Sequence, residues 1–542
     1  MDGHLKTSSF YATLYDLIYS KNDGEFLLLA NYKNSFIGKN IKTDMLSGIV
    51  VAVALIPEAI AFSFIAGVSP TVGLYTAFIL GLITALIGGK PGMVSGATGA
   101  VAVVLVGLGI QAKNALSPEM LQSLTSSGEI STYILQYIVL CAIFAGIIQI
   151  TIGALRLGKL IRLVPQPAMY GFVNGLAIVI ALAQVPLFSH EGPAMYGLVF
   201  LTMLIVYFFP RITDKVPSGL VAIIVITAIV IIFKVQTKDV GDLADISGAL
   251  PTFAIPNIHL TWQSVMMVLP FSIIVALVGL IESLLTLSVL DEMDGKRGRG
   301  NQECIAQGTG NIVCGFFGGM AGCTMIGQSI INFTNGGRGR LSSATAAILL
   351  ILFVVALSGY ISYIPVAVLA GIMFMVCINT FEWESVNRIR FMPNSDKFVL
   401  VAVTIITVYS DLAIAVISGV IVSALVFAWK SSQVHSRTHR EDGNTKIYEF
   451  FGPLFFGSTL SFKSLFDMKF DPENVVLDFA NSRVMDISGA EAIDDITKKY
   501  LDLGKKITIK HLSEDCRKIL KSAGPYCVFE EIDPTYKLAR DA

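Results

Sequence analysis

The sequence predicts an α-helical polytopic membrane protein followed by a small cytosolic α/β domain, and three observations carry that prediction. The 542 residues are 54% hydrophobic and only 15% charged, with a mean hydropathy of +0.69, whereas an ordinary soluble chain is about 25% charged. Apolar runs of helix length recur from about residue 44 to residue 429, separated by short polar turns. Beyond Trp429 the composition turns polar, and short β-type runs alternate with helical ones.

Taken in order, residues 1–35 read as a cytosolic N-terminal arm that carries acids and no cleavable signal pattern. Residues 36–432 form the membrane domain, with spans expected near 44–66, 71–88, 93–111, 131–155, 168–187, 195–210, 217–233, 264–290, 302–317, 320–335, 341–359, 362–379, 396–410 and 411–429. Loop charge supports these fourteen transmembrane segments. With the N-terminus inside, the even-numbered loops hold Lys90; Arg156, Lys159 and Arg162; Arg211 and Lys215; Lys296, Arg297 and Arg299; Arg338 and Arg340; and Arg388, Arg390 and Lys397. The odd-numbered loops are nearly free of base, and the one after Lys234 is acidic (Asp239, Asp242, Asp245). Basic loops stay in the cytoplasm, so both termini are expected inside, in the cell (inner) membrane. The acids Asp291, Glu292 and Asp294 read as a solvated cytoplasmic helix end. Residues 433–542 supply a polar linker (430–444) and the α/β domain. In it 447–457 reads as strand-turn-strand, 475–479 as a buried strand, 488–505 as a helix, 506–512 as a strand and 515–524 as a last helix.

A glycine-rich stretch recurs. Residues 88–99, GGKPGMVSGATG, are echoed by 318–329, GGMAGCTMIGQS, in the tenth span. An odd number of spans separates the two, so the halves would be 7+7 inverted repeats. Each half also opens with a span that holds an acid, Glu58 after Pro57 and Glu282 within IIVALVGLIESLLTLSVL. A carboxyl at membrane depth costs about 2.5–3.5 kcal/mol on insertion scales and faces a partner or a cavity. Broken backbone at that depth is tolerated where it lines a site, and paired interruptions in two halves point to a midplane binding site.

The site expected there has two parts. If helices start near Ala97 and Thr324, their N-termini converge and offer N–H groups and partial positive charge to an anion. Ser95, Gly96, Ala97 and Thr98 on one side, with Gly322, Cys323, Thr324 and Gln328 on the other, would contact it, and Glu58 and Phe62 would line the cavity. Residues 95–98 and 322–328 contain no Lys or Arg, so dipoles would carry most of the attraction. The second part is Glu282 with Thr286, one turn apart on one helix face. The pair suits a sodium ion, or the carboxyl takes up and releases a proton. In the α/β domain Ser488 reads as the helix N-cap, with regulatory phosphorylation as the alternative.

Several classes are excluded. The basic residues sit in short loops with no cationic tract for nucleic acid. The seven cysteines lack metal-ligand spacing and read as small buried hydrophobes. No phosphate-binding loop, nucleophile elbow or HExxH motif occurs, so no enzyme activity and no cofactor are expected beyond a coupling sodium ion.

The ordered set of motifs resembles the SulP-type anion permeases, related to sulfate permeases, sodium–bicarbonate permeases and prestin. The carriers are IPEAIAFSFIAGVSPTVGLY (56–75), SGATGA (95–100), YGFVNGLAI (170–178), IESLLT (281–286), NQECIAQGTGNI (301–312), TNGGRGRLS (334–342) and DISG (486–489). The resemblance implies a uracil-permease-like arrangement, with a core domain (spans 1–4 and 8–11) moving against a gate domain (spans 5–7 and 12–14), a C-terminal STAS domain and a homodimer. It implies secondary active transport of a small inorganic anion, bicarbonate or sulfate, with a C4-dicarboxylate symporter or a channel-like pathway as alternatives. Two departures bear on substrate. Pro57-Glu58 stands where sulfate-type members have Pro-Gln, and Gln328 stands where many have arginine. In that respect the chain is similar to the cyanobacterial sodium–bicarbonate permeases, whose eighth-span acid and threonine match Glu282 and Thr286. A different class, a membrane-anchored signalling protein working through STAS, would need an output module, and none is encoded.

Overall fold

The computed structural model describes residues 40–521, apart from 127–128, 159–165, 189–191, 214–216, 244–248, 259–260, most of 410–431, and 442–443. The N-terminal arm, Lys159, Arg162, Lys215, Asp245, most of the fourteenth apolar run and Cys527 lie outside the described residues. The chain divides at Val420/Ile421 into two compact units.

The first unit is helical. Its elements are α1 (Ile41–Ile65), α2 (Pro70–Ile87), β1 (Ser95–Gly96), α3 (Gly99–Asn114), α4 (Pro118–Ser126), α5 (Ile130–Ala154), α6 (Gln166–Phe188), α7 (Pro193–Phe208) and α8 (Ser218–Phe233). There follow α9 (Trp262–Asp294), α10 (Gly300–Phe316), β2 (Cys323–Thr324), α11 (Ile326–Thr334), α12 (Arg340–Ile361), α13 (Val366–Thr380) and α14 (Asn394–Tyr409). Sequence chemistry sets the ends. Asn40 caps α1 by accepting from the Lys42 N–H, Thr261 caps α9 by accepting from that of Ser264, and Gly295 closes α9 in the left-handed conformation.

A helix stands at each of the first thirteen expected spans, although in the third and tenth it starts behind a two-residue strand, with 16 residues in α3 and 9 in α11. Among the described residues seven helices are long and apolar enough to cross a membrane, or eight if the bent pair α3–α4 counts as one. Fourteen crossings therefore go beyond what helix length and composition give. Residues expected in the loop after the third span instead form α4, bent by 119° from α3.

Helix packing falls into two groups. One joins α1, α2, α3, α5, α9, α10 and α12, and the other joins α6, α7, α8, α13 and α14. With α11, which packs on α1 and α9, the first group holds the helices of the core that the resemblance implies, and the second holds those of the gate short of the fourteenth run; the groups also touch through α1–α13, α3–α6 and α1–α8. Within the first group α5 and α10 touch backbone to backbone. A Cβ at Gly146 or at Gly308 would lie 2.5 Å from the other's carbonyl oxygen, the close approach that small residues allow inside a bilayer.

One acidic helix end departs from its expected solvation. Lys90 is buried, and its ammonium contacts Asp291 at 2.8 Å, Asp294 at 2.9 Å and the Lys296 carbonyl at 2.7 Å. Asp291 also accepts from the Gly298 N–H. Arg340, likewise buried, donates to the carbonyls of Ala85 and Gly88. Two of the bases that set topology in the sequence are thus structural bolts between the two halves.

The second unit contains a four-stranded sheet in the order β3-β4-β5-β6. The strands are β3 (His435–Glu441), β4 (Thr445–Leu454), β5 (Asn474–Val484) and β6 (Lys506–Lys510), and the helices are α15 (Thr459–Lys463), α16 (Ile487–Asp502) and α17 (Glu514–Lys521). Strands β3 and β4 are antiparallel, and β4, β5 and β6 run parallel. Two readings need correction. Residues 447–457 hold no strand-turn-strand, because β4 runs on through Leu454, with a register shift between Glu449 and Phe451. Its hairpin partner β3, HSRTHRE, fell in the expected linker because an edge strand without an apolar face gives no alternation signal.

The core of this unit encloses a charged cluster. Asp471 accepts from Lys446 and Tyr448 and from the Tyr500 hydroxyl, so that β4, the approach to β5 and α16 meet on one carboxylate. Burial opposes its charge, but the hydrogen bonds from Lys446, Tyr500 and Tyr448 outweigh it and hold the carboxyl below its usual range. The folded state therefore releases this proton more readily than the unfolded chain does. The stabilisation is present at neutral pH and is lost as pH falls below the ordinary aspartate value of about 3.9. Asp471→Asn should cost this domain about 3 kcal/mol, the order found when a buried pair loses one partner. The measurement is earlier proteolytic cleavage within residues 435–521 of the full-length protein, at unchanged cleavage elsewhere.

Candidate functional site

The two glycine-rich breaks meet. After α2 the chain cannot continue as helix through Gly88-Gly89-Lys90-Pro91-Gly92, and after α10 it breaks at Gly318, which has φ +71°. Each break leads into a two-residue strand, and the strands pair antiparallel, Ser95 opposite Thr324 and Gly96 opposite Cys323. Beyond the crossing α3 starts at Gly99 and α11 at Ile326, two residues later than expected on each side. Thr98 and Met325 occupy the N-cap positions without a side-chain cap, so first-turn N–H groups carry no capping acceptor.

The crossing is held from behind by α10. Glu303, Gln307 and Asn311 are spaced four apart on one face and all are buried. The Gln307 amide nitrogen lies 2.9 Å from Ser95 Oγ, 2.6 Å from Thr324 Oγ1 and 2.7 Å from Glu303 Oε1. Glu303 accepts from the Gly89 N–H at 2.7 Å and from the Thr324 hydroxyl at 3.2 Å. Asn311 grips Gly322 on both sides, donating to its carbonyl at 3.0 Å and accepting from its N–H at 2.9 Å. These three side chains were not singled out as site residues, although their motif was read; the signal available was polar residues at four-residue spacing in a membrane-depth helix. Ser95 and Thr324, expected to face an anion, lie 3.0 Å apart and are engaged with each other and with Gln307. They belong to the scaffold of the crossing.

On the other side two acids approach the same segment. Glu58, on α1, is hydrogen-bonded to the Gln328 side chain at the start of α11. Glu282, on α9, accepts from the Cys323 thiol at 3.0 Å. Cys323 Sγ lies 3.2 Å from Thr98 Oγ1, at the head of α3. The Thr286 hydroxyl donates to the Glu282 backbone carbonyl at 2.8 Å, which spends its proton and leaves oxygen lone pairs. Phe62 is buried against the start of α3, where a Cβ on Gly99 would fall 2.9 Å from its ring. Gly96 and Ala97 carry the strand and turn into α3. Glu58 and Glu282 thus both reach the β2–α11 segment, and the hydrogen bonds described for them come from an amide and a thiol.

Ser488 belongs to the second unit and is not the N-cap. Asp486 caps α16 by accepting from the Gly489 N–H, and Ser488 lies in the first turn. Aspartate two residues earlier supplies a charged acceptor to the same orphan donors.

Comparison with known proteins matches this architecture. The sulfate permease family profile matches residues 41–193 and 189–404, and the STAS domain profile matches 436–539. A putative sulfate transporter of Bacillus subtilis (YbaR) is 42% identical over 89% of this chain and 97% of its own length. The bicarbonate transporter BicA of Picosynechococcus is 26% identical over 89% of this chain and 91% of its own. The solved transmembrane domain of a cyanobacterial BicA covers 72% of this chain and 98% of that domain, with a TM-score of 0.61 and 26% identity. The fold is shared with SLC26A9, at a TM-score of 0.78 and 16% identity over 95% of this chain and 90% of that one. With two thirds of its length matched by the family profile and a relative at 42% identity, this chain belongs to the sulfate permease family, a family of membrane transporters, and ends in a STAS domain.

Proposed function

We propose that the protein is a secondary active symporter that carries a small inorganic anion, bicarbonate in the first reading, together with a coupling cation. The anion lies at the heads of α3 and α11, and the cation lies at Glu282 and Thr286. The observation that carries this reading is the convergence of two membrane-depth carboxyls on the β2–α11 segment. A lone anion placed there would meet Glu58 and Glu282. A sodium ion or proton at Glu282 removes that repulsion, so anion and cation bind together. Gln328 is committed to Glu58 and adds no positive charge, which disfavours a divalent anion relative to a monovalent one. The name of the BicA relative supports bicarbonate, and that of the Bacillus subtilis relative supports sulfate as the second reading. The protein would work by alternating access as a homodimer in the cytoplasmic membrane, with both termini in the cytosol. Its STAS domain would tune rate or assembly and leave the transported ion to the helices.

The test is uptake of labelled bicarbonate, sulfate and succinate into proteoliposomes of the full-length protein, with and without an inward sodium or proton gradient. Gradient-driven accumulation of bicarbonate above sulfate is the expected result. Equal flux with and without every gradient would replace symport by a channel-like pathway, and succinate accumulation would move the substrate to C4-dicarboxylates.

A further inference from the structure

The Cys323 thiol stands between the two halves of the site. It is fully buried on β2, donates to Glu282 Oε2 at 3.0 Å, and lies 3.2 Å from the Thr98 hydroxyl at the head of α3. Three elements, α9, β2 and α3, are thereby joined through one sulfur atom. The cation carboxylate is on one side of it, and the helix N-terminus assigned to the anion is on the other.

We propose that Cys323 is a positioning residue that transmits cation occupancy at Glu282 to the anion half-site at Thr98. This rests on the symport reading above. Without cation, the thiol hydrogen lies on Glu282 and the sulfur is the acceptor for the Thr98 hydroxyl, so Thr98 points away from the anion. When a cation ligates Glu282, the carboxylate charge is met by the ion and the thiol donor is released. Thr98 is then free to turn its O–H toward an anion at the first turn of α3. A thiol suits this relay because it is a weak donor and a weak acceptor; it holds the unloaded arrangement without locking it. No proton leaves the chain in these steps, since only hydrogen bonds exchange.

The coupling is a ratio of affinities and is reciprocal. It is measured as the change in half-saturating bicarbonate between zero and saturating sodium, and as the matching change in half-saturating sodium with bicarbonate. A parallel series replaces sodium by an inward proton gradient. Cys323→Ala should lower this ratio by about fivefold, a step at the low end of coupling factors between sites, and should do so by lowering half-saturating bicarbonate in zero sodium, because Thr98 is then free whether or not the cation is bound. Cys323→Ser keeps a donor and acceptor at the same place and should hold the ratio near that of the parent. Monodisperse elution of both variants separates the effect from misfolding, and a merely structural cysteine would alter expression without altering the ratio. If Cys323→Ala keeps the full ratio while Glu282→Gln abolishes it, the relay is wrong and the symport reading stands. If Glu282→Gln also keeps the ratio, both fall.

Discussion

Glu282→Gln is expected to insert and fold but no longer to accumulate anion against a gradient. The amide has the shape of the carboxyl and still offers an oxygen to the Cys323 thiol, which in the parent lies 3.0 Å from Oε2. What it lacks is a charge to ligate sodium or an oxygen able to take up a proton at physiological pH. The lost interaction is between ions in a low-dielectric site, where charge-assisted contacts far exceed neutral ones. Accumulation in proteoliposomes under an inward cation gradient should therefore fall to the level of passive equilibration, with slow exchange retained. Thr286→Ala separates the two coupling ions. Its hydroxyl proton is already donated to the Glu282 carbonyl, so the oxygen can serve a metal ion but not relay a proton. The half-saturating sodium concentration should rise roughly tenfold, about 1.4 kcal/mol, if sodium is the coupling ion. It should stay within twofold if a proton is. Full gradient-driven uptake by Glu282→Gln would remove the cation from this position altogether.

The second large effect is expected at the strand crossing, and it is graded. A Cβ on Gly322 would sit 2.1 Å from the Gly96 carbonyl oxygen and 2.9 Å from its carbon. Both are backbone atoms, so the clash cannot be relieved by a rotamer change, and the crossing itself must part. A Cβ on Gly96 meets the Ala77 Cβ at 3.3 Å, which asks for a shift of a few tenths of an ångström. Gly322→Ala should abolish uptake and lower thermal stability, since overpacking in a tight core costs about 1–3 kcal/mol. Gly96→Ala should keep a measurable fraction of transport. Equal activity of the two variants would mean that the crossing is not rigid. Both glycines belong to the echoed stretches, yet residue for residue Gly322 answers to Gly92 and Gly96 to Ile326, and it is the antiparallel register, Gly96 opposite Cys323, that brings them side by side.

Much of the fold was legible because a bilayer simplifies the code. An apolar run bounded by polar turns has few ways to behave there, and glycine clusters at matching places in two halves marked both breaks. The acids Glu58 and Glu282 were legible for the same reason, as charges where charge is costly. What the sequence hid was partnership. Nothing local says that Lys90 is buried against Asp291 and Asp294, which are about 200 residues away in the chain. Nor does it say that Ser95 and Thr324 turn toward Gln307 instead of a ligand. Hydroxyls near a helix start have several acceptors within reach, and long-range packing decides among them. The same holds at Asp486 and Ser488, where both residue types can cap and the backbone chose the aspartate. Strand β3 was missed because its side chains are polar throughout, so neither period two nor period 3.6 appears.

The grip of α10 on the crossing limits how the machine can move. Parting Ser95 from Thr324 would break their mutual contact, the bonds of both to Gln307, the bond from Thr324 to Glu303, and the strand pairing itself. Each buried group so exposed would cost about 1–3 kcal/mol, and no compensating partner stands nearby among the bonds described. Hence the two half-helices do not act as jaws. In the proposed alternating-access cycle their separation would be a fixed length, like the gap of a rigid clamp, and the field at their N-termini would stay constant while the clamp is carried past its surroundings. Under that proposal selectivity and movement belong to different degrees of freedom: what is held would be set inside the clamp, and when it is released would be set by what the clamp slides against.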